Sequence, residues 1–324
     1  MPVLLMAATV SSSCSTSHGR VGEAFSEPEV TVSGGKLTPE VLWSLGAVGA
    51  PAVSPDGARA LFSISYADIK EDRQISEIYG VPTGGGRMVR MTDGEGLSSS
   101  DAAFLPDGGM AFISNDANGV RQLFVADADG ENARMILSQS PNAAAGIDAF
   151  LFAPDGRHVA LIRSVKVDKD VHDMYPDLPK ANARIETDLM YRHWNLWADG
   201  TYSHICLAEF DGSALINEVD IMDGERFHCP LRPHGGIEQV AWAADASKIA
   251  YTSKKLVGRE SALSTNSDIF VYDLPTRSTV NVSAPNAGYD TNPAFAKDGR
   301  LFWLSMEHDG YESDRNRIVC KDLA

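Results

Sequence analysis

The chain has 324 residues, of which 44% are hydrophobic and 22% charged, and its formal net charge is −16. This composition is typical of a folded globular protein and excludes an intrinsically disordered one. The acidic balance also excludes nucleic acid as a partner, because phosphate binding needs an excess of lysine and arginine.

Residues 1–35 are predicted to be a truncated export signal followed by a flexible leader. An apolar run over residues 3–10 precedes three serines and Cys14, and it is too short to span a bilayer. This pattern is typical of the end of a lipoprotein-type export signal, although no lysine or arginine precedes Arg20. Cys14 is therefore the predicted lipidation site, and the protein is expected to be exported, either periplasmic or anchored to the outer membrane. A disordered tail is the alternative.

A short helix is predicted over residues 37–45. Thr38 suits the N-cap and Pro39 the first helical position, while Val41, Leu42 and Leu45 share one face. Because this helix precedes the repeats described next, we expect it to pack on the outside or at the end of the repeat body.

A tight turn that leads into a short apolar strand recurs along the rest of the chain. In the first copy, Ser54-Pro55-Asp56-Gly57, the proline fixes φ, the aspartate bonds its own backbone and the glycine takes a positive φ. Such recurrence is the signature of a repeat architecture. The turn aspartates lie 51, 48, 90 and 53 residues apart, at Asp56, Asp107, Asp155, Asp245 and Asp298, and Ala246 takes the place of glycine in the fourth turn.

Each repeat shows three recognisable strands and a short segment before the turn. Four short antiparallel strands per unit are typical of a propeller blade, and neighbouring blades stack their apolar faces around a central axis. A solenoid is the competing architecture, but helical spacing is absent between the repeats. We therefore predict an all-β fold, a partial β-propeller of four-stranded antiparallel blades over residues 36–324. About five blades are expected, the last incomplete, starting near residues 48, 100, 148, 238 and 291.

The wide spacing between the third and fourth turns predicts an insertion at residues 165–200 in the third blade. Long excursions from a rigid scaffold are common binding elements. A polar and aromatic string inside it could face a central cavity and touch a peptide. The alternative, which we favour, is a strand whose alternate residues face core and solvent. Glu186 and Asp188 are candidate carboxylates for binding an ammonium group, and ordinary solvation is the favoured alternative for both. The candidate substrate-cavity residues are Glu186, Tyr191, Arg192, His193 and Trp194.

No metal site and no cofactor are predicted from the other clusters of reactive side chains. The acidic run at residues 168–173 lacks the glycine and the distal glutamate of an EF-hand loop. His228, Cys229 and His234 have no second paired set at zinc-ligand spacing. Cys206 and Cys229 are the one plausible disulfide pair, but two buried free thiols are the favoured interpretation.

The repeats resemble the amino-terminal propeller of the prolyl oligopeptidase-type serine peptidases. Residues 37–43 ahead of the first blade, and residues 188–194 with Asp199-Gly200 inside the third, are similar to the bacterial dipeptidyl peptidase 5-like and acylaminoacyl peptidase branch. The resemblance implies a propeller that caps a separate α/β-hydrolase domain with a Ser-Asp-His triad, and oligopeptides as substrates. No Gly-x-Ser-x-Gly elbow occurs in the sequence, and the nearest string, residues 96–100, lacks the second glycine. No catalytic residue is therefore predicted, and this chain alone is expected not to hydrolyse peptides.

The resemblance, together with the export-signal pattern, implies the substrate-gating propeller of an exported serine exopeptidase of dipeptidyl or acylaminoacyl type. The propeller would wall off the active site of a hydrolase domain missing from this chain, so that only slender peptides reach the nucleophile. The alternative comes from another class: a non-catalytic, TolB-like periplasmic propeller that binds protein partners. A lipid anchor to the membrane and a homodimer are the remaining partner predictions.

Overall fold

The structure, a computed structural model, describes Val32 and residues 34–92, 97–140 and 146–323. Cys14 and the predicted export signal lie outside the described residues. Across these described ranges, none of the helices has the length and apolar character needed to cross a bilayer.

Helix α1 (Pro39–Ser44) begins as the sequence predicts. The Thr38 side chain accepts a hydrogen bond from the Val41 N–H at 3.3 Å, and Pro39 occupies the first turn. The helix lies beside the first long strand, but none of its residues is buried. Its predicted place on the outside of the repeat body is confirmed.

The first two sheets come from residues 47–135 and are purely antiparallel. In the first sheet, β1 and β2 both pair with the same edge of β3, which continues through β4 to β5. Its strands are β1 (Ala47–Val48), β2 (Ala52–Val53), β3 (Arg59–Asp68), β4 (Arg73–Pro82) and β5 (Val89–Arg90). The second sheet is ordered as in the sequence: β6 (Ser99–Phe104), β7 (Met110–Asn115), β8 (Arg121–Ala126) and β9 (Arg134–Met135).

The third sheet carries the predicted insertion between its two longest strands. Its core strands are β11 (Ala149–Phe152), β12 (His158–Lys166), β15 (Thr201–Phe210) and β16 (Ala214–Asp220). A strand from the preceding repeat, β10 (Leu137–Ser138), joins the outer edge by pairing parallel to β16. The insertion contains helix α2 (Val171–Met174) and a two-stranded hairpin, β13 (Arg192–His193) and β14 (Leu196–Trp197).

The last two sheets complete the described chain. A 3-10 turn at Ile237–Gln239 leads into the fourth sheet, which has a short helix, α3 (Gly258–Leu263), between its second and third strands. The strands of the fourth sheet are β17 (Val240–Trp242), β18 (Lys248–Ser253), β19 (Asp268–Asp273) and β20 (Ser278–Asn281). Those of the fifth are β21 (Asp290–Phe295), β22 (Leu301–Ser305) and β23 (Arg317–Lys321).

The five larger sheets of the described residues differ in their number of strands. Two have four strands, two have five and the last has three. The extra strands arise because β1 and β2 divide one edge of the first sheet, and because β10 crosses over to the third. The uniform four-stranded unit is therefore an idealisation, and the count of five blades stays a prediction.

The repeated turns have the predicted geometry. In four of the five turns a glycine takes a positive φ. In the remaining turn, before β18, Ala246 occupies the glycine position and has φ 58°. A left-handed conformation costs a non-glycine residue about 1–2 kcal/mol. Asp245 offsets part of this cost, because its carboxylate accepts hydrogen bonds from the Ser247 N–H at 3.0 Å and the Ser247 hydroxyl at 2.8 Å. The same bonds lower the pKa of Asp245.

Among the described residues, buried side chains form four core clusters, and each cluster lies between two successive sheets. This arrangement shows that the sheets stack face to face, as propeller blades do. Leu61 and Ile78 of the first sheet meet Met110 and Phe112 of the second, and Ile113 and Leu123 meet Val159 and Leu161 of the third. Ile162 and Ile205 then meet Ile249 and Tyr251 of the fourth, and Ala250 and Val271 meet Leu301 and Trp303 of the fifth.

Candidate functional site

The insertion leaves and rejoins the third sheet at a single closed point, which we call the neck. Lys166 lies opposite Thr201 as the last pair between β12 and β15. Beyond it, the Asp168 N–H donates to the Gly200 carbonyl at 3.1 Å, and the Asp168 carboxylate accepts from the Tyr202 hydroxyl at 2.9 Å. A Cβ at Gly200 would lie 2.8 Å from the Asp168 carbonyl oxygen, so the neck requires glycine there.

The acidic run after the neck caps helix α2. The Asp170 carboxylate accepts from the N–H groups of His172 and Asp173, which forms a capping box. The Lys166 ammonium lies 2.7 Å from Asp170 and 2.5 Å from Asp173. These contacts lower the pKa of both carboxyl groups, chiefly through the Lys166 hydrogen bonds. The aspartates of this run therefore have local structural partners.

The candidate residues Tyr191 to Trp194 do not form the strand that the sequence analysis favoured. Only Arg192 and His193 are extended, and they pair with β14 in a hairpin whose turn contains Trp194 at φ 54°. Tyr191 is 46% exposed and Trp194 is 70% exposed, so neither side of this segment faces a core. The expected alternation between core and solvent is wrong because the segment sits on the insertion, outside the stacked sheets.

An aromatic ring with cations against it forms the centre of the hairpin. The Trp197 ring lies 6.3 Å from the Tyr191 ring in a stacked arrangement. The guanidinium groups of Arg184 and Arg192 lie 5.4 and 5.1 Å from the Trp197 ring centroid, within the range of cation–π attraction. Arg192 also donates to the Trp194 carbonyl at 2.9 Å, which ties this cation to the hairpin turn.

A cavity of about 770 Å³ opens beside this ring. It is a shallow cleft that is largely open to solvent, and its volume is within the range of small-molecule sites. Of the predicted candidates, Glu186 and Tyr191 line it, Arg192 contacts its Trp197 wall, and His193 and Trp194 are not part of it. The full lining is Asn182, Arg184, Glu186, Thr187, Asp188, Leu189, Tyr191 and Trp197.

The cavity is lined by one cationic and two anionic side chains that do not form ion pairs with one another. Within the described chain, Arg184, Glu186 and Asp188 form no ion pair. Asp188 accepts the N–H of Leu189 at 2.8 Å and approaches α3 so closely that a Cβ at Gly258 would meet both carboxylate oxygens at 2.8 Å. The site can therefore present carboxylates to an ammonium group while offering aromatic and aliphatic walls.

Five lining residues were not predicted from the sequence: Asn182, Arg184, Thr187, Leu189 and Trp197. Arg184 and Trp197 are thirteen positions apart in the sequence, and only the fold of the insertion brings them together. A second contact with the body comes from Trp194, whose ring lies 4.5 Å from the His234 ring. No short motif marks any of these pairings.

Reactive side chains elsewhere in the described chain take part in local hydrogen bonds or in core packing. The His228 Nδ1 accepts the Ser203 N–H at 3.0 Å, and Ser99 donates to the Ser114 hydroxyl at 3.0 Å. Cys206 and Cys229 are free and buried in different core clusters, and burial raises the pKa of each thiol. Over residues 34–92, 97–140 and 146–323, no group of three or more His, Cys, Asp or Glu side chains could hold a metal ion.

Comparisons with known proteins place these features in a family. A scan against protein-family profiles finds no match. The chain is 40% identical over 306 residues to dipeptidyl-peptidase 5 of Porphyromonas gingivalis, covering 94% of this chain and 44% of that protein. It is 34% identical over 283 residues to dipeptidyl-peptidase 5 of Porphyromonas endodontalis, covering 87% of this chain and 40% of that protein. The chain thus spans less than half the length of these curated relatives.

The fold is also that of a known peptidase structure. The uncomplexed acylaminoacyl peptidase of Pyrococcus horikoshii superposes with a TM-score of 0.58 at 12% identity, over 87% of this chain and 39% of that one. At this identity the likeness concerns the fold alone. The stacked antiparallel sheets and the extended similarity to two dipeptidyl-peptidase 5 sequences together show that the chain is related over most of its length to dipeptidyl-peptidase 5, a peptidase of the prolyl oligopeptidase family.

Proposed function

We propose that this propeller is the substrate-gating domain of an exported serine exopeptidase that removes short peptides from the amino ends of oligopeptides. The observation that carries the proposal is the 40% identity over 306 residues to a protein named dipeptidyl-peptidase 5. A propeller beside an active site can restrict which peptides reach it, and binding residues are commonly carried by loops and insertions on such a scaffold.

The insertion cavity supports a direct role in peptide recognition. A free peptide amino terminus is an ammonium group, and Glu186 and Asp188 offer it two carboxylates that lack an ion-pair partner within the described chain. Charge-assisted hydrogen bonds of this kind are about twice as strong as neutral ones. Tyr191 and Trp197 provide apolar surface beside the carboxylates for the first side chains of the peptide. We propose that the cavity selects peptides with a free amino terminus.

Peptide binding to the 324-residue chain tests this role. The probe is the peptide Ala-Phe-Ala amide, compared with its N-acetyl counterpart, and binding is measured by calorimetry. We expect the free peptide to bind at least about tenfold more tightly, because one charge-assisted hydrogen bond contributes about 1.5–3 kcal/mol. The double variant Glu186→Gln with Asp188→Asn should lose this preference. The matched control Asp177→Asn, an exposed carboxylate of the same insertion outside the cavity, should keep it.

Two results would contradict the proposal. Equal affinity for the free and the acetylated peptide would show that the carboxylates do not recognise an amino terminus. No binding of either peptide would favour the non-catalytic scaffold, in which the propeller serves protein partners instead.

We also propose that the protein is exported and that Cys14 carries a lipid. The support is the sequence pattern alone, since this residue lies outside the described chain. Fractionation of producing cells tests the proposal: wild-type protein should be in the membrane fraction, and Cys14→Ser should move it to the soluble exported fraction. An unchanged distribution would count against lipidation.

A further inference from the structure

Two arginines at the insertion cavity have no anionic partner in the described chain. The Arg184 guanidinium lines the cavity 5.4 Å from the Trp197 ring centroid, and the Arg192 guanidinium lies 5.1 Å from the same centroid. The ion pairs that arginines form among the described residues all belong to other side chains. Like charges held at one ring repel each other, so an anion bound beside them would be stabilising.

Arg184 keeps most of its hydrogen-bonding capacity. A guanidinium has five N–H donors, and the hydrogen bond that Arg184 makes within the described chain goes to the Ala198 carbonyl at 3.4 Å, which is long for an N–H···O contact. Its planar fork matches the two oxygens of a carboxylate, which it can bind through two parallel hydrogen bonds. The contact with the Trp197 ring places the fork at the cavity wall. A carboxylate is therefore the ligand group that fits this cation.

The charges in and beside the cavity favour a ligand with charges of both signs. Glu186 and Asp188 contribute two negative charges, and Arg184 with Arg192 contribute two positive ones, so the sum is zero. An ammonium group alone would pair with the carboxylates and leave the arginines unpaired. A ligand that carries both an ammonium and a carboxylate group can pair with each set.

The size of the cavity limits the length of such a ligand. A volume of about 770 Å³ corresponds to a linear dimension of about 9 Å, and an extended chain advances at most ~3.3–3.6 Å per residue. Two or three residues therefore span it. Because the cleft is open to solvent, a longer peptide can still enter by its amino end, but its terminal carboxylate would lie beyond the cavity.

We infer that Arg184 binds a carboxylate of the same peptide whose amino terminus is bound by Glu186 and Asp188, so that the cavity takes free dipeptides and tripeptides by both charged ends. The inference rests on the proposed function for the amino terminus and adds the group at the other end. Removal of a dipeptide by hydrolysis adds water across the peptide bond, so the released dipeptide has a carboxylate where the intact substrate has an amide. The product of the proposed reaction would therefore bind this cavity more tightly than the amino end of a long substrate, and it would compete with that substrate. A side-chain carboxylate in the second residue of a substrate offers the same chemistry.

Calorimetry of the 324-residue chain with two pairs of peptides tests the inference. The first pair is Ala-Phe and Ala-Phe amide, which share a free amino terminus, and we expect the free acid to bind at least about tenfold more tightly. Arg184→Gln should abolish this preference and leave the affinity for the amide unchanged. The matched control Lys180→Gln removes an exposed cation of the same insertion outside the cavity, and it should keep the preference. The second pair, Ala-Glu amide and Ala-Gln amide, distinguishes a side-chain carboxylate from a terminal one.

A second variant guards against misfolding of the first. Arg184→Lys keeps the charge but loses the planar fork, so it should retain only part of the preference for the free acid. Circular dichroism checks that both variants are folded.

The outcomes separate this inference from the proposal on the amino terminus. Equal affinities within both pairs, with binding still weakened by N-acetylation, would overturn the inference alone. A preference for the carboxylate that survives in folded Arg184→Gln would also overturn it, whereas a preference confined to the second pair would support carboxylate binding and identify an acidic side chain as its source. A preference for the free acid without any effect of N-acetylation would contradict the proposal on the amino terminus instead.

Discussion

Acid should destabilise this propeller through His228, a half-buried side chain that lies against the third sheet in its neutral form. The Nδ1 of His228 accepts the Ser203 N–H at 3.0 Å, and its ring centroid lies 5.0 Å from that of Tyr202. Burial lowers the pKa of His228 from 6.5 to about 4, and repulsion from Arg232 and His204 adds to the effect while Asp199 opposes it. Protonation would place a proton on the nitrogen that the Ser203 N–H needs.

The size of the loss in stability follows from the difference between the pKa of His228 in the folded and in the unfolded chain. In the unfolded chain His228 takes up a proton near pH 6.5, whereas in the folded chain it does so only near pH 4. The unfolded state therefore binds more protons between these values, and stability falls as the pH falls through this window. The full loss, reached below pH 4, is about 3 kcal/mol, and at pH 4.5 it is about 2.5 kcal/mol.

Urea unfolding at pH 7.5 and pH 4.5 measures this loss. His228→Asn keeps an acceptor near the position of Nδ1 but cannot take up the proton. We expect the free energy of unfolding of this variant to fall by about 2.5 kcal/mol less than that of the wild type over the same pH change. His193→Asn, at an exposed position of the hairpin, is the matched control and should fall as far as the wild type. Equal losses in the wild type and His228→Asn would refute the reasoning.

Two further predictions concern the third sheet and the neck of its insertion. Arg163 is fully buried and forms hydrogen bonds of 2.8 and 2.9 Å to Glu218, so Arg163→Met should lower the free energy of unfolding by about 3–5 kcal/mol in urea titrations. Adding Glu218→Leu should recover most of this loss, and a double variant as unstable as the single one would contradict the explanation. Gly200→Ala combines φ 76° with a 2.8 Å contact, so it should speed proteolysis within the insertion. Gly57→Ala, at φ 71° with open space around it, should leave that cleavage rate unchanged.

The repeated turns could be predicted because their chemistry is local. Pro, Asp and Gly determine the backbone of a turn within four residues, and even Ala246 takes the positive φ that its place in the repeat requires. The stacking of sheets followed from the same recurrence. In contrast, the parallel pairing of β10 with β16 joins residues about eighty positions apart, and no pattern in either strand indicates it.

The candidate site was predictable only in part. The spacing of the turns located the insertion, and two of the five candidates, Glu186 and Tyr191, line its cavity. The strand predicted over residues 191–194 is wrong because alternating residue types indicate two faces even where no sheet packs against either of them. The ring contacts of Trp197 depend on the path of the chain through the insertion, which contains no regular periodicity.

The closed neck has a consequence for how this family can vary. Because Lys166 and Thr201 face each other as the final pair of two antiparallel strands, the segment between them is topologically an enlarged hairpin loop. Lengthening such a loop is inexpensive, since each doubling adds only about 0.6 kcal/mol of closure entropy. Exchange of this whole segment for another of different length would leave the register of every sheet intact, so specificity at this position can diverge between relatives while the scaffold stays the same.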